Sequence, residues 1–102
     1  MGLFKLLFGG SKSVDLKPII EEGAFLVDVR TPAEFSQGNV KGSINIPLDT
    51  IPAQLQKFKD KKNIVVFCRS GGRSSQAKNI LEQNGFKNVI SGGAWKDVNK
   101  YV

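Results

Sequence analysis

Ile64-Val65-Val66-Phe67 is an unbroken apolar run that passes directly into Cys68-Arg69-Ser70-Gly71-Gly72-Arg73-Ser74. A strand apolar on both faces has to be covered on both faces, which a sheet with one wet side cannot do. It belongs in the interior of a parallel sheet. Ala24-Phe25-Leu26-Val27-Asp28-Val29 has the same character and is read as a second buried strand.

The segments between these strands read as helices. Val14 to Glu22 places Leu16, Ile19 and Ile20 at helical spacing, with Asp15 as N-cap, Pro18 in the first turn and Gly23 as the stop. Thr31-Pro32-Ala33-Glu34 opens a brief helix that Gly38 closes, and Pro52 to Lys59 is expected to be a helix with Ile51, Leu55 and Phe58 on one face. A further helix is expected from Arg73 to about Asn84, capped by Gly85, and Ala94 to Val98 gives a final turn or two. Ser43 to Ile46 and Asn88 to Ile90 are read as the remaining short strands, with Gly92-Gly93 leading out of the second. Strand and helix alternate with short links, so the expected class is α/β with a parallel sheet.

With 102 residues there is room for one core. The chain has one cysteine and no histidine, which excludes an internal disulfide, a Cys/His zinc site and every Cys-His or Ser-His-Asp mechanism. No cofactor and no metal are expected. Fifteen Lys and Arg against nine Asp and Glu give a formal charge of +6, which favours anionic partners. Nucleic acid is not among them: the densest basic group, Lys57, Lys59, Lys61 and Lys62, lies around Phe58 and Asp60, carries no known nucleic-acid motif and reads as a solvated loop.

Leu3 to Phe8 is an apolar stub, too short to span a membrane and lacking the features of a secretory signal. It is read as a frayed or self-docking end in preference to a membrane contact, and the chain as cytoplasmic. Leu6 stands where a myristoylation motif needs Ser or Thr.

Ligands of open parallel sheets bind beyond the carboxyl ends of strands, which is where Cys68 stands. The Gly-containing loop after it can turn successive N–H groups onto the sulfur, and the following helix adds its positive end. A thiolate is itself an anion, so this nest lowers a thiol pKa from about 8.5 toward the activated range of about 3.5 to 7.5, and Arg69 and Arg73 act in the same direction. Activation needs no histidine.

The run Cys68 to Ser74 after a Val-Val-Phe strand resembles the active-site loop of the rhodaneses, the sulfurtransferase family. Asp28-Val29-Arg30-Thr31-Pro32-Ala33-Glu34-Phe35 and Gly42 to Pro47 resemble that family's N-terminal signature, and Gly92-Gly93 with Trp95 its C-terminal one. Two departures stand out: Gly38-Asn39 where the family commonly has Gly-His, and a single residue, Ala94, between Gly93 and Trp95.

The resemblance implies a three-layer α/β domain over residues 13–102, preceded by the stub and Gly/Ser tether of residues 1–12. It implies a five-stranded parallel sheet with helices on both faces, the first short strand lying near Lys12 to Val14. It further implies transfer of a sulfane sulfur from a small anionic donor such as thiosulfate, through a Cys68 persulfide, to a thiol, protein or cyanide acceptor. The loop Arg69, Ser70, Gly71, Gly72, Arg73 and Ser74 would bind substrate, with Arg69 on the donor's charge and Arg73 fixing the loop. Asp28 and Arg30 would support it, Asp28 partnered by loop N–H groups or Arg69, and Arg30 paired with Glu34. Trp95 is equally a site wall or a core residue. The alternatives are a sulfur-relay or protein-binding module, and a cysteine phosphatase or arsenate reductase. Against the latter, Cys68 and Arg73 enclose four residues, one fewer than the cradle of those enzymes.

Overall fold

A computed structural model describes residues 15–102. The four strands are β1 (Phe25–Asp28), β2 (Ile44–Asn45), β3 (Ile64–Cys68) and β4 (Val89–Ala94). They form one sheet in the order β2-β1-β3-β4, and every neighbouring pair is parallel. Five strands were expected; the described residues form four, and the other expected strand, near Lys12 to Val14, lies outside them, as do the stub and tether.

The residues of β3 alternate between two cores. Val27, Val29, Val66 and Cys68 face α3 (Gly72–Gln83), where they meet Ala77 and Leu81 together with Ile51 and Phe58. Leu26, Val65 and Phe67 face the other way, toward Leu16 of α1 (Leu16–Glu21) and Val98 of α4 (Trp95–Val98). The sheet is thus the middle of three layers, as its doubly apolar strands require.

Local chemistry sets the helix starts. The Asp15 carboxylate accepts the Lys17 N–H at 3.1 Å to cap α1. At α2 (Pro32–Ser36) the Thr31 hydroxyl accepts the Glu34 N–H at 3.2 Å while Glu34 Oε1 accepts the Thr31 N–H at 3.0 Å, a reciprocal pair of caps.

Two elements differ from expectation. The helix expected over Pro52 to Lys59 is a pair of 3-10 turns, Leu48–Ala53 and Leu55–Phe58. Thr50, Gln54 and Lys57 each donate three residues back, to Pro47, Ile51 and Gln54. Pro52 has no N–H to give the four-residue ladder, and Gln54, at φ −126°, breaks the run. Ile51 and Phe58 still reach the core from these turns.

The strand expected to end at Ile90 continues to Ala94. Val66 pairs with Ser91 and Phe67 with Gly93, so Gly92 is an extra residue in the ladder, a β-bulge. A Cβ at Gly92 would lie 2.9 Å from Val98 Cγ2 and 3.0 Å from Val65 Cγ1. Only a glycine fits there. The bulge sets Ala94 opposite Cys68 and starts α4 at the edge of the site.

Gly92→Ala therefore forces Val65 and Val98 apart, and a loss of about 1–3 kcal/mol is expected from overpacking, read by urea unfolding. Wild-type stability would show that α4 yields without cost.

Candidate active site

Three parallel strands end side by side at this site. Asp28 pairs with Phe67, and Cys68 with Ala94, so Arg30, Arg69 and Trp95 each follow one strand end by one or two residues.

Cys68 is 1% exposed, its side chain packed with the α3-side core. Beyond it the chain reverses through Gly71 at φ +111°, a left-handed conformation that L side chains rarely adopt. That turn brings the Gly71 N–H onto Cys68 Sγ at 3.0 Å and makes Gly71 the residue before α3. A Cβ at Gly72 would meet no atom within 4 Å. The two glycines are not equivalent: the first is demanded by backbone geometry, the second is not.

Burial pushes the Cys68 thiol up. The N–H groups of Ser74, Gly71 and Ser70, with the Ser74 hydroxyl, oppose this and hold the thiol below its ordinary value. These donors come from the loop and from the first turn of α3, where helical N–H groups lack intrahelical partners.

The charged residues pair differently from expectation. Asp28 is fully buried and its partner is Arg30: Arg30 Nη2 lies 2.6 Å from Oδ2, Nε 2.9 Å from both carboxylate oxygens, and the Arg30 N–H 2.9 Å from Oδ1. Neither loop N–H groups nor Arg69 partner it. Arg30 stands two residues beyond the end of β1, near enough for both its backbone N–H and its guanidinium to reach the Asp28 carboxylate. Arg30 also donates to the Gly38 carbonyl at 2.7 Å, and its guanidinium lies 4.7 Å from the Trp95 ring centroid.

Glu34 is consequently not the partner of Arg30. It takes Arg73 in a two-pronged bridge, 2.7 Å from Nη1 to Oε1 and 3.0 Å from Nη2 to Oε2, which ties α2 to the first turn of α3. The Arg73 hydrogen bonds, followed by the Thr31 N–H, lower the Glu34 carboxyl from 4.5 to about 2.

Arg69 is exposed and lines a cleft of about 270 Å³ with Arg30, Glu34, Gln37, Gly38, Trp95 and Lys96. Among the described residues no carboxylate lies within ion-pair distance of Arg69 or Lys96. Trp95 is both things at once, packed on the core and lining the cleft. Asn39, standing in place of histidine, is exposed and donates to the Phe35 carbonyl at 2.9 Å. A second cleft, about 270 Å³ and lined by Val29, Thr31, Pro47, Leu48, Asp49 and Arg73, lies at the other end of the Glu34–Arg73 bridge.

The structure thus gathers Ser70, Gly71 and Ser74 around the sulfur, sets Arg30 and Arg69 in one cleft, and gives Arg73 to Glu34. Ser91 and Lys96 were not singled out in the sequence. Ser91 lies 2.9 Å from the Ser74 hydroxyl, and no motif announces that contact. Lys96 carries one weak signal, its position next to Trp95. Among the described residues no group of three or more Cys, Asp or Glu could hold a metal ion.

The rhodanese-like domain family model matches residues 13–97. The chain belongs to the rhodanese-like family. It is 37% identical over 81 residues to a sulfurtransferase of Allochromatium vinosum, covering 79% of this chain and 76% of that one. To the thiosulfate sulfurtransferase PspE of Escherichia coli it is 38% identical over 74 residues, 71% of each. A solved structure described as a rhodanese with anions from E. coli superposes with a TM-score of 0.67 at 36% identity, over 74% of this chain and 91% of that one. The superposition and the family match agree on a rhodanese-like α/β fold for this chain.

The Glu34–Arg73 bridge makes this rhodanese-like domain sensitive to acid. A carboxyl lowered from 4.5 to about 2 adds stability that is complete above 4.5 and is lost as pH falls toward 2. Urea unfolding between pH 2 and pH 6 is expected to show a shallower acid loss in Glu34→Gln than in the wild type. Parallel curves would place the acid sensitivity elsewhere.

Proposed function

We propose that the chain is a rhodanese-type sulfurtransferase working through a persulfide on Cys68. The observation that carries this reading is the sulfur itself, buried at a central strand end and met by loop N–H groups that favour its anion. The names of the relatives, a sulfurtransferase and a thiosulfate sulfurtransferase, point the same way.

The Cys68 thiolate attacks the outer sulfur of a donor such as thiosulfate; a new S–S bond forms, the donor's S–S bond breaks, and sulfite leaves with the electron pair. An acceptor thiolate, small or carried on a protein, or cyanide then attacks the outer sulfur of the persulfide, and the pair returns to Cys68. The N–H groups that favour the thiolate also suit the charge on a terminal persulfide sulfur. Arg69, exposed in a cleft shared with Lys96, is the ligand for the donor's charge, whereas Arg73 fixes the loop through Glu34.

The cysteine-phosphatase reading lacks its anion ligand, since both prongs of Arg73 are on Glu34. The relay reading shares the persulfide and differs only in the acceptor.

After treatment with thiosulfate, the intact mass of the protein is expected to rise by one sulfur atom, and cyanide is expected to remove it. Cys68→Ser should neither gain the sulfur nor turn over. A wild-type protein that stays unmodified, or a serine variant as active as wild type, would overturn the reading.

A further inference from the structure

We infer that Lys96 is a specificity-determining residue for the sulfur donor: together with Arg69 it gives the cleft two unpaired positive charges, which select a dianionic donor over a monoanionic one. The inference rests on the sulfur-transfer reading and adds to it a residue on α4, outside the loop that follows Cys68.

The bulge at Gly92 brings Lys96 to the site. It sets Ala94 opposite Cys68, so Lys96 stands two residues beyond the partner of the cysteine, while Arg69 stands one residue beyond the cysteine itself. Both line the cleft of about 270 Å³. Trp95 fixes the wall from which Lys96 extends. Its ring lies close against Gly38, where a Cβ would come within 3.1 Å of Trp95 Cη2, and the Arg30 guanidinium is 4.7 Å from its centroid. The Lys96 ammonium lies 5.9 Å from the same centroid, within reach of cation–π attraction.

Pairing separates these two cations from the others. Asp28 is committed to Arg30 at 2.6 Å, Glu34 to both prongs of Arg73, and Asp97, the neighbour of Lys96, to Lys100 at 3.2 Å. Arg30 and Glu34 therefore line the cleft as members of neutral pairs. Arg69 and Lys96 have no carboxylate partner among the described residues and leave the cleft with two positive charges. Both are exposed, where one charge alone contributes little, so discrimination comes from the two acting on one small ion.

Thiosulfate carries two negative charges and leaves two on the departing sulfite. The methanethiosulfonate anion carries one and leaves one on methanesulfinate. With either donor the Cys68 thiolate attacks the outer sulfur, a new S–S bond forms, the donor's S–S bond breaks, and the leaving group takes the electron pair. The donors differ by one charge, on the end remote from the attacked sulfur, and that charge is what the second cation reads.

The test is kcat/KM of the full chain for each donor at fixed ionic strength, with cyanide as the common acceptor. Lys96→Gln is expected to lose about three- to tenfold with thiosulfate and less than about twofold with methanethiosulfonate, the effect of one exposed charged contact. Lys96→Arg keeps the charge and should return most of the loss. Lys59→Gln removes the same charge ahead of β3, at the end of that strand away from Cys68, and should lose with neither donor. Equal losses with the two donors would overturn the inference, as would full activity of Lys96→Gln toward thiosulfate or an equally large loss in Lys59→Gln. A wild-type protein that turns over neither donor and gains no sulfur defeats the sulfur-transfer reading itself, and the role of Lys96 with it.

Discussion

Donation of backbone N–H groups to one buried sulfur is the interaction on which the rest of the site depends. A thiol at the end of a core strand is pushed toward its neutral form by burial, and nothing in this chain can serve as an imidazole partner. The opposing pull comes from peptide groups. It exists only because Gly71 takes a left-handed turn that folds the loop back and begins α3 under the sulfur. Such donors are fixed by the fold and do not titrate.

Around this centre the charges are sorted by pairing. Asp28 and Arg30 satisfy each other in the buried layer, and Arg30 goes on to fasten Gly38 and stack on Trp95. Glu34 and Arg73 join α2 to α3 at the surface. These two pairs hold the walls and leave Arg69 and Lys96 without a carboxylate partner among the described residues, facing a shared cleft. A net charge of +6 alone would not have located that pair of free cations.

What could be read from the sequence was whatever local rules decide. Two buried strands, the Thr31–Glu34 cap and the loop after Cys68 are each written in consecutive residues, and the family follows from those motifs in order. What could not be read depends on distant neighbours. Pro52 turns an amphipathic stretch into 3-10 turns, although its apolar spacing reads as a helix. The need for glycine at position 92 comes from Val65 and Val98, remote in sequence, and only the folded sheet reveals the bulge. Arg30 lies within reach of Asp28 and Glu34 alike by sequence distance, and the choice falls to strand geometry on one side and to Arg73, contributed by another helix, on the other. Ser91 pairs with Ser74 across two elements, so neither segment alone betrays it.

The most direct test of the account is the rate of Cys68 alkylation by iodoacetamide as a function of pH in the wild-type protein. If the loop N–H groups outweigh burial, the midpoint lies below that of a free cysteine thiol, in a protein with no histidine to assist. A midpoint at or above the free-cysteine value would mean that burial prevails and that the donors around the sulfur do not hold an anion.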